Sequence, residues 1–255
     1  MIYTIPFYSQ NGTQFFSIIN QISNYLMNFV FDIDGTLTPA RQPIDPNFKS
    51  FFLEWVKNRN VYLISGSDYP KSEEQVGPEI LHAVNGSFNT AGNVYYVKGK
   101  MVYRQDWDPP HELFDLLEQF LKESAYPLRA GNHIENRIGM VNFSIVGRAC
   151  TMKQRKDYNN YDNEHQERAR LRRIIMEKFP EIEVSIGGQI SIDIYPVGKN
   201  KSQIISKING PIHFFGDKTM EGGNDYDLAK ELLNPPHKVT QVNGWQETME
   251  ILKKL

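Results

Sequence analysis

A short apolar strand that ends in two closely spaced aspartates constrains the fold of this 255-residue chain most strongly. Residues 28–33, with the sequence NFVFDI, are nearly all apolar, which is typical of a strand buried on both faces. Two further apolar runs, at 61–64 and 212–215, also end in glycine and polar residues. Because helical patterns separate such strands, the sequence predicts a parallel α/β sheet with its ligand site beyond the carboxyl ends of the strands.

The middle of the chain has a different pattern. Residues 111–123 predict an amphipathic helix, and residues 162–179 predict one long, charge-rich helix. Residues 139–146 and 190–195 alternate between apolar and polar, which indicates half-exposed antiparallel strands. We therefore expect an α+β insert, here called the cap, at 106–196, within an α/β core formed by residues 28–105 and 197–255.

Composition excludes several classes of function. The net charge is −2, so the chain has no basic field that would favour nucleic acid or an anionic membrane. No apolar run approaches the roughly 20 residues that span a bilayer.

Residues 1–27 contain no Lys or Arg, so we expect an extension rather than a signal peptide, with a short amphipathic helix at 15–26 as the alternative. The single cysteine, Cys150, indicates a reducing compartment, and we expect the cytoplasm.

Asp32 and Asp34 are the candidate catalytic pair. Alternation across the end of the strand lets both carboxylates converge on one point. The first could attack phosphorus, while the second exchanges a proton with the leaving and attacking oxygens. Two acids so close together require a cation, and Mg²⁺ prefers such oxygen ligands. The pair therefore favours phosphoryl transfer.

The run DIDGT at residues 32–36 resembles the signature of the haloacid dehalogenase phosphotransferases. That resemblance implies a haloacid dehalogenase-like Rossmannoid core, in which Asp32 is the nucleophile and Asp34 the general acid and base. It also implies that Ser65 or Ser67 binds the transferring phosphoryl group and that Lys201 neutralises charge there. The implied magnesium ligands are Asp32, Asp34 and Asp217.

Longer segments are similar to the eukaryotic-type phosphomannomutases: FDIDGTLTPARQ, SGSDYPK, NRIGMVNFSIVGR, SIGGQISIDIYP and FFGDKTMEGGND. The similarity spans about residues 28–225 and implies interconversion of mannose 6-phosphate and mannose 1-phosphate, with glucose phosphates accepted too. It implies an aspartyl-phosphate, a hexose 1,6-bisphosphate as intermediate and activator, and a homodimer formed through the cap. The implied substrate-binding residues are Arg41 beside the active site, Arg137, Arg148 and Arg155 on the distal phosphate, and Ser191 and Asp193 on phosphate and sugar hydroxyls.

The pattern of the cap residues agrees with those roles. Ser191 and Asp193 are two residues apart in an alternating strand and so share its polar face. Arg137 and Arg148 bracket another strand, and guanidinium groups match phosphate oxygens well. By contrast, the arginines of the long helix are expected to be only its solvated face: Arg168, Arg170, Arg172 and Arg173.

Three departures from the family pattern leave a sugar-phosphate phosphatase open as the alternative. Ser65 replaces a glycine and adds a hydroxyl beside the phosphoryl site. Residues 89–93 replace a Glu-Asn-Gly segment. After Asp225, an ion-binding Asp-Pro-Arg-Thr segment is missing, so we predict a plain helix at 226–233 and no second ion site, although Asp225 itself looks able to contribute to magnesium binding.

Two considerations weigh these alternatives. A non-catalytic phosphosugar-binding module is disfavoured because Asp32 and Asp34 are both present. A mutase has to bind whichever phosphate of the bisphosphate is not reacting, so it needs a second phosphate site, and a phosphatase does not. The arginines of the cap therefore favour a mutase.

Overall fold

A computed structural model describes residues 27–255, so the predicted extension at residues 1–27 lies almost entirely outside the described residues. Within that range the strands are β1 (Asn28–Asp32), β2 (Asn60–Ile64), β3 (Gly86–Asn89), β4 (Val94–Val97), β5 (Lys100–Arg104), β6 (Ile134–Arg137), β7 (Met140–Ser144), β8 (Ile182–Gly187), β9 (Ser191–Pro196), β10 (Ile212–Gly216) and β11 (Lys238–Gln241). The α-helices are α1 (Pro46–Trp55), α2 (Tyr69–Val76), α3 (Pro78–Ala83), α4 (His111–Glu123), α5 (Met152–His165), α6 (Glu167–Lys178), α7 (Tyr226–Glu231) and α8 (Trp245–Leu252).

The larger sheet has the strand order β11-β10-β1-β2-β3-β4-β5. The first five of these strands are parallel, as predicted, and the β4–β5 hairpin extends the sheet in the antiparallel direction. Phe29 and Phe31 pack against the helices on one face, while Val30 joins the apolar cluster on the other. Because both faces are covered, β1 is apolar throughout.

Helix α1 begins where the sequence predicts. Asp45 is its N-cap, and its Oδ1 accepts hydrogen bonds from the backbone N–H groups of Asn47 and Phe48 at 2.9 and 3.1 Å. Pro46 follows at the first helical position, where no N–H is required. The helix buries Phe48 and Phe52 against the sheet.

The smaller sheet is antiparallel, with the order β6-β7-β9-β8. Helices α4, α5 and α6 cover one face with an apolar cluster that includes Leu117, Tyr158 and Ile175. All four strands and these helices lie inside the predicted cap, 106–196, whose boundaries stay a prediction. The expectation of half-exposed strands is wrong, because β7 and β9 are buried almost throughout. Their polar face lies against the carboxyl edge of the larger sheet rather than against solvent.

The predicted long helix at 162–179 is instead two helices, α5 and α6, separated by Gln166 in the left-handed conformation. The Asp162 carboxylate accepts hydrogen bonds from the backbone N–H of Arg168 at 2.7 Å and from its Nε at 2.8 Å. These bonds give the backbone an alternative to continuing the helix. Arg168 is therefore buried, with 5% of its surface exposed, and the expectation that it is solvated is wrong.

In the part of the chain that the structure describes, no helix combines the length and the apolar character that crossing a membrane requires.

Candidate active site

A cavity of about 270 Å³ lies between the carboxyl edge of the larger sheet and the polar face of the smaller one. Asp32 ends β1, Ser65 and Ser67 follow β2, and Asp217 follows β10, so the three clusters meet as the parallel topology predicts. The cap residues face them from across the cavity. Of the predicted site residues, those lining it are Asp32, Asp34, Arg41, Ser65, Ser67, Arg137, Arg148, Arg155, Ser191, Asp193 and Asp217.

Three carboxylates gather around Lys201 at the base of the site. Oxygen atoms of Asp32, Asp217 and Asp225 lie within 4.8 Å of one another. The Lys201 ammonium donates to Asp32 Oδ1 at 2.5 Å and to Asp225 Oδ1 at 2.7 Å. Asp34 is outside this group of described carboxylates, and its predicted role as a metal ligand stays a prediction.

Gly35 makes the close approach of this cluster possible. Its φ of +81° is in the region that favours glycine, and a Cβ there would lie 2.5 Å from Asp217 Oδ2. The glycine of the DIDGT run therefore has a steric role, since any side chain would push Asp217 away from Asp32.

The cluster carries more negative charge than Lys201 alone can balance. Burial raises the pKa of Asp32 well above its usual range, Lys201 opposes that rise, and Asp225 and Asp217 add to it. Burial, reinforced by Asp225, raises the pKa of Asp217 to about 7. An all-oxygen set of three carboxylates with surplus charge fits a hard divalent cation such as Mg²⁺.

We expect Mg²⁺ to raise the melting temperature more at pH 8 than at pH 6. The pKa of Asp217 in the folded protein, about 7, lies above its ordinary value of 3.8, so the metal-free protein loses stability as pH rises between those values. At pH 6 a cation has to displace that proton, whereas at pH 8 the carboxylate is ionised and repelled by its neighbours. Thermal unfolding with and without Mg²⁺ at both pH values measures this difference. An equal rise at both, or a difference that persists in Asp217→Asn, would contradict it.

Asp34 is held by two donors on one oxygen. Its Oδ1 accepts from the backbone N–H of Arg41 at 2.6 Å and from Gln75 Nε2 at 2.9 Å. These bonds fix the plane of the carboxylate without using Oδ2. Arg41 has a positive φ of 59°, an uncommon conformation for a residue with a side chain. The turn after β1 therefore orients the proposed general acid and base through its backbone.

Residues 89–93, where the chain departs from the family pattern, brace the loop that follows β2. The backbone N–H groups of Thr90 and Ala91 donate to the carbonyls of Ser67 and Ser65, both at 2.9 Å. Thr90 and Ala91 have positive φ values of 47° and 57°, a costly conformation that the surrounding contacts maintain. Asn93 Nδ2 also donates to Gly139 of the cap at 3.2 Å. Residues 89–93 thus support the two serines that are predicted to bind the phosphoryl group, and they contact the cap.

Four arginines form a positive cluster at the cavity, with Arg137, Arg148 and Arg155 on the cap and Arg41 on the turn after β1. Arg148 Nη1 donates to Ser191 Oγ at 2.9 Å, and Arg137 Nη1 donates to the Gly66 carbonyl of the core at 3.0 Å. Burial, and then repulsion from Arg41 and Arg137, lowers the pKa of Arg148 to about 10. Among residues 27–255, the buried Nε of Arg148 makes no hydrogen bond. A bound anion would relieve both conditions.

Asp193 brings the cap close to the loop that follows β2. Its Oδ1 accepts from Asn142 Nδ2 at 2.6 Å. A Cβ on Gly66 would lie 3.0 Å from Asp193 Oδ2, and one on Gly187 would lie 2.7 Å from it. Burial raises the pKa of Asp193, with Arg137 the main opposing influence. Because Gly66 and Gly187 have no side chain, they leave room for the Asp193 carboxylate at the cavity.

Sequence reasoning missed several residues of the site. Gln75 and Asn142 bond the predicted carboxylates but belong to no recognisable motif. Arg168 donates to the carbonyls of Gly188 and Ser191 at 3.2 and 3.3 Å and so holds the turn that lines the cavity. The available signal was an aspartate, Asp162, six residues before Arg168. Its side chain can bond the backbone at Arg168 in place of the regular helical hydrogen bonds.

Comparisons with known proteins identify the family. The sequence profile of eukaryotic phosphomannomutase matches residues 48–255. The phosphomannomutase of Saccharomyces cerevisiae is 34% identical over 238 residues, covering 89% of this chain and 92% of the relative. That of Drosophila melanogaster is 35% identical over 240 residues, covering 88% and 94%. A haloacid dehalogenase-like hydrolase from Bacteroides thetaiotaomicron shares the fold, with a TM-score of 0.54, 14% identity and coverage of 89% and 98%. The chain belongs to the eukaryotic phosphomannomutase family and has a haloacid dehalogenase-like fold with a core and a cap.

Proposed function

We propose that this chain is a phosphomannomutase that interconverts mannose 6-phosphate and mannose 1-phosphate and also accepts glucose phosphates. The observation that carries the proposal is that two sets of residues suited to binding phosphate face each other across one cavity. Asp32 and the Ser65–Ser67 loop lie on the core side, and three of the four clustered arginines, Arg137, Arg148 and Arg155, belong to the cap. A hexose bisphosphate presents one phosphate to each side, whereas a phosphatase for monoesters needs only the first.

The proposed reaction uses the core residues twice. Phospho-Asp32 transfers its phosphoryl group to a hydroxyl of the hexose monophosphate while Asp34 accepts the hydroxyl proton. The resulting hexose 1,6-bisphosphate turns end for end, and its other phosphate passes back to Asp32 as Asp34 protonates the leaving oxygen. The 2.6 and 2.9 Å bonds to Asp34 Oδ1 keep that carboxylate oriented through both steps. A hexose 1,6-bisphosphate supplied as activator charges Asp32 initially.

We propose that Asp32, Asp34 and Asp217, joined by Asp225, hold Mg²⁺. The cation, when bound, neutralises charge on the carboxylates and on the phosphoryl oxygens. Lys201, which is not among the residues lining the cavity, balances the charge of Asp32 and Asp225 through its two short bonds to them. Ser65 and Ser67, buried at the same edge, would hydrogen-bond the phosphoryl group.

The cap would keep water away from phospho-Asp32. Arg137 donates to the Gly66 carbonyl, and Asp193 packs at the Cα of Gly66, so cap and core touch beside the phosphoryl loop. Excluding water favours transfer to a sugar hydroxyl over hydrolysis of the aspartyl-phosphate.

We expect Arg148→Ala to reduce isomerisation about 100-fold while changing hydrolysis of a small phosphate ester less than about threefold. The Arg148 guanidinium lines the cavity, where we propose that it binds the distal phosphate, which a small ester lacks. Steady-state rates on mannose 1-phosphate and on p-nitrophenyl phosphate measure the two effects. Arg173→Ala, an exposed arginine outside the cavity, is the control. Equal losses in both assays would argue against the assigned role of the arginine cluster.

A phosphorus NMR time course with mannose 1-phosphate, Mg²⁺ and a trace of glucose 1,6-bisphosphate tests the proposed function. We expect mannose 6-phosphate to accumulate with little free phosphate. Free phosphate as the main product would instead favour a sugar-phosphate phosphatase, the second candidate. The added hydroxyl of Ser65 at the phosphoryl loop is the observation that favours it, although Ser65 Oγ accepts a bond from the Ser67 N–H at 3.0 Å.

Three further proposals rest on family membership or composition. We propose a homodimer formed through the cap, which light scattering on the purified protein would test. Mannose 1-phosphate made by this chain would supply GDP-mannose biosynthesis. The buried, unpaired Cys150 agrees with a reducing compartment, and we propose the cytoplasm, which imaging of the tagged full chain would test.

A further inference from the structure

One carboxylate lies among the cap arginines. Glu135 and Arg137 are two residues apart in β6, so their side chains share one face of the smaller sheet. Arg137 Nη2 donates to Glu135 Oε2, and Arg148 Nε lies 3.5 Å from Glu135 Oε1. The side chain of Glu135 is 30% exposed, while those of both arginines are 13% exposed. An acid therefore contacts two of the groups proposed to bind the distal phosphate.

Glu135 is ionised near neutral pH. Burial acts to raise its pKa, but Arg137, Arg148 and Arg41 together hold that pKa below its usual value. In turn, Glu135 opposes the lowering of the Arg148 and Arg41 pKa values that burial and mutual repulsion cause. The carboxylate is thus a fixed negative charge in contact with two arginines, Arg137 and Arg148, that line the cavity.

We propose that Glu135 is a built-in counter-anion that limits how tightly the arginine cluster holds the distal phosphate. The inference rests on the proposed function, because a bisphosphate that must turn end for end has to leave this cluster in every cycle. Binding energy that stabilises the bound intermediate and the transition state equally does not speed the reaction. It also slows the release of the intermediate's phosphate from the arginines. Glu135 offsets part of the positive charge of Arg137 and Arg148, and it also repels a dianionic phosphate bound to them. Both interactions act among partly buried groups, where salt screens charges weakly.

The opposite role makes the opposite prediction. If Glu135 served mainly to hold Arg137 and Arg148 in place for phosphate, then removing its charge would loosen both arginines and weaken binding. Glu135→Gln separates the two roles because it removes the charge and keeps the shape and one oxygen acceptor. Glu135 is a positioning residue in either case, because it acts through the arginines.

The experiment is calorimetric titration of the full chain with glucose 1,6-bisphosphate in Mg²⁺ buffer at pH 7.5, with Asp32→Asn present in every binding sample so that no phosphoryl group is transferred. In that background we expect Glu135→Gln to bind about tenfold more tightly than the chain with Glu135 intact. With Asp32 restored, we expect Glu135→Gln to lower both kcat and KM for isomerisation. The matched control is Asp106→Asn. Asp106 pairs with Arg104, also two residues away, but both are exposed and lie outside the cavity. It should leave Kd, kcat and KM unchanged.

An unchanged or weaker Kd for Glu135→Gln, with a melting temperature close to that of the unaltered chain, would overturn the proposal. Glu135→Ala distinguishes a folding defect, since it too should bind more tightly if it folds. The proposed function fails separately: the unaltered chain would then bind the bisphosphate but yield no isomer in the NMR assay, and the comparison of binding constants would still stand.

Discussion

Asp32→Asn should lower the rate of isomerisation by at least about 10⁴-fold, because the amide lacks the negative charge that attacks phosphorus. The fold should persist. Burial raises the pKa of Asp32, and Asp225 and Asp217 repel its negative charge. A neutral amide of the same shape loses the ion pair with Lys201 but also removes this repulsion, so the two effects offset each other. Mannose phosphate isomerisation and thermal unfolding measure both effects.

Covalent labelling makes this first prediction sharper. After incubation with glucose 1,6-bisphosphate and rapid acid quench, mass spectrometry should find one added phosphoryl group on the unaltered chain and none on Asp32→Asn. Asp45→Asn is the control, since asparagine caps α1 as well as aspartate does and Asp45 lies outside the cavity. Asp32 would be excluded as the nucleophile if Asp32→Asn kept more than about 1% of the isomerisation rate and the unaltered chain showed no phosphoryl group on Asp32.

Lys201→Met should have the largest effect on stability. Lys201 has 1% of its surface exposed and pairs with Asp32 and Asp225, so methionine leaves buried carboxylates without a partner. Removing one partner of a buried pair typically costs about 3–5 kcal/mol, and we expect the free energy of unfolding at pH 8 without Mg²⁺ to fall by about that much. The rate should fall by at least about 10²-fold, since charge on the reacting groups goes unbalanced.

The pH dependence separates this electrostatic loss from a packing defect. As pH falls from 8 to 5, the unpaired carboxyls take up protons in the folded variant, so its deficit in unfolding free energy should shrink. Urea unfolding at both pH values measures the deficit. Lys218→Met makes the same exchange at an exposed lysine 3.8 Å from Asp217 and should change stability by less than about 1 kcal/mol. A deficit independent of pH would point to packing instead.

Much of the core was predictable because its signals are local. An apolar β1 followed by Asp32 and Asp34 specifies a buried strand with two acids at its end. The topology of parallel sheets then brings Ser67 and Asp217 to the same edge. The plain helix predicted after Asp225 is present as α7, Tyr226–Glu231.

Two of the failed expectations, the half-exposed strands and the solvated Arg168, have one physical cause, which is burial by parts of the chain that are distant in sequence. The break in the predicted long helix has a local cause instead, the bonds between Asp162 and Arg168. Alternation in β7 and β9 indicates two chemically different faces, but it does not distinguish a face against solvent from a face against a polar cavity. Arg168 looks like a surface arginine until Asp162 and the carbonyls of the β8–β9 turn surround it.

The sequence by itself determined the class of fold and predicted the catalytic chemistry, because the apolar strand pattern, the placement of glycines and the DIDGT run are all features of a few consecutive residues. Only the tertiary structure decided how charge is balanced. It joined Asp225 to Asp32 through Lys201, turned Gln75 toward Asp34, and set Glu135 among the arginines. Such partners lie far apart in sequence or carry no motif, and the energy of a charge depends on its neighbours and its burial, which folding alone establishes.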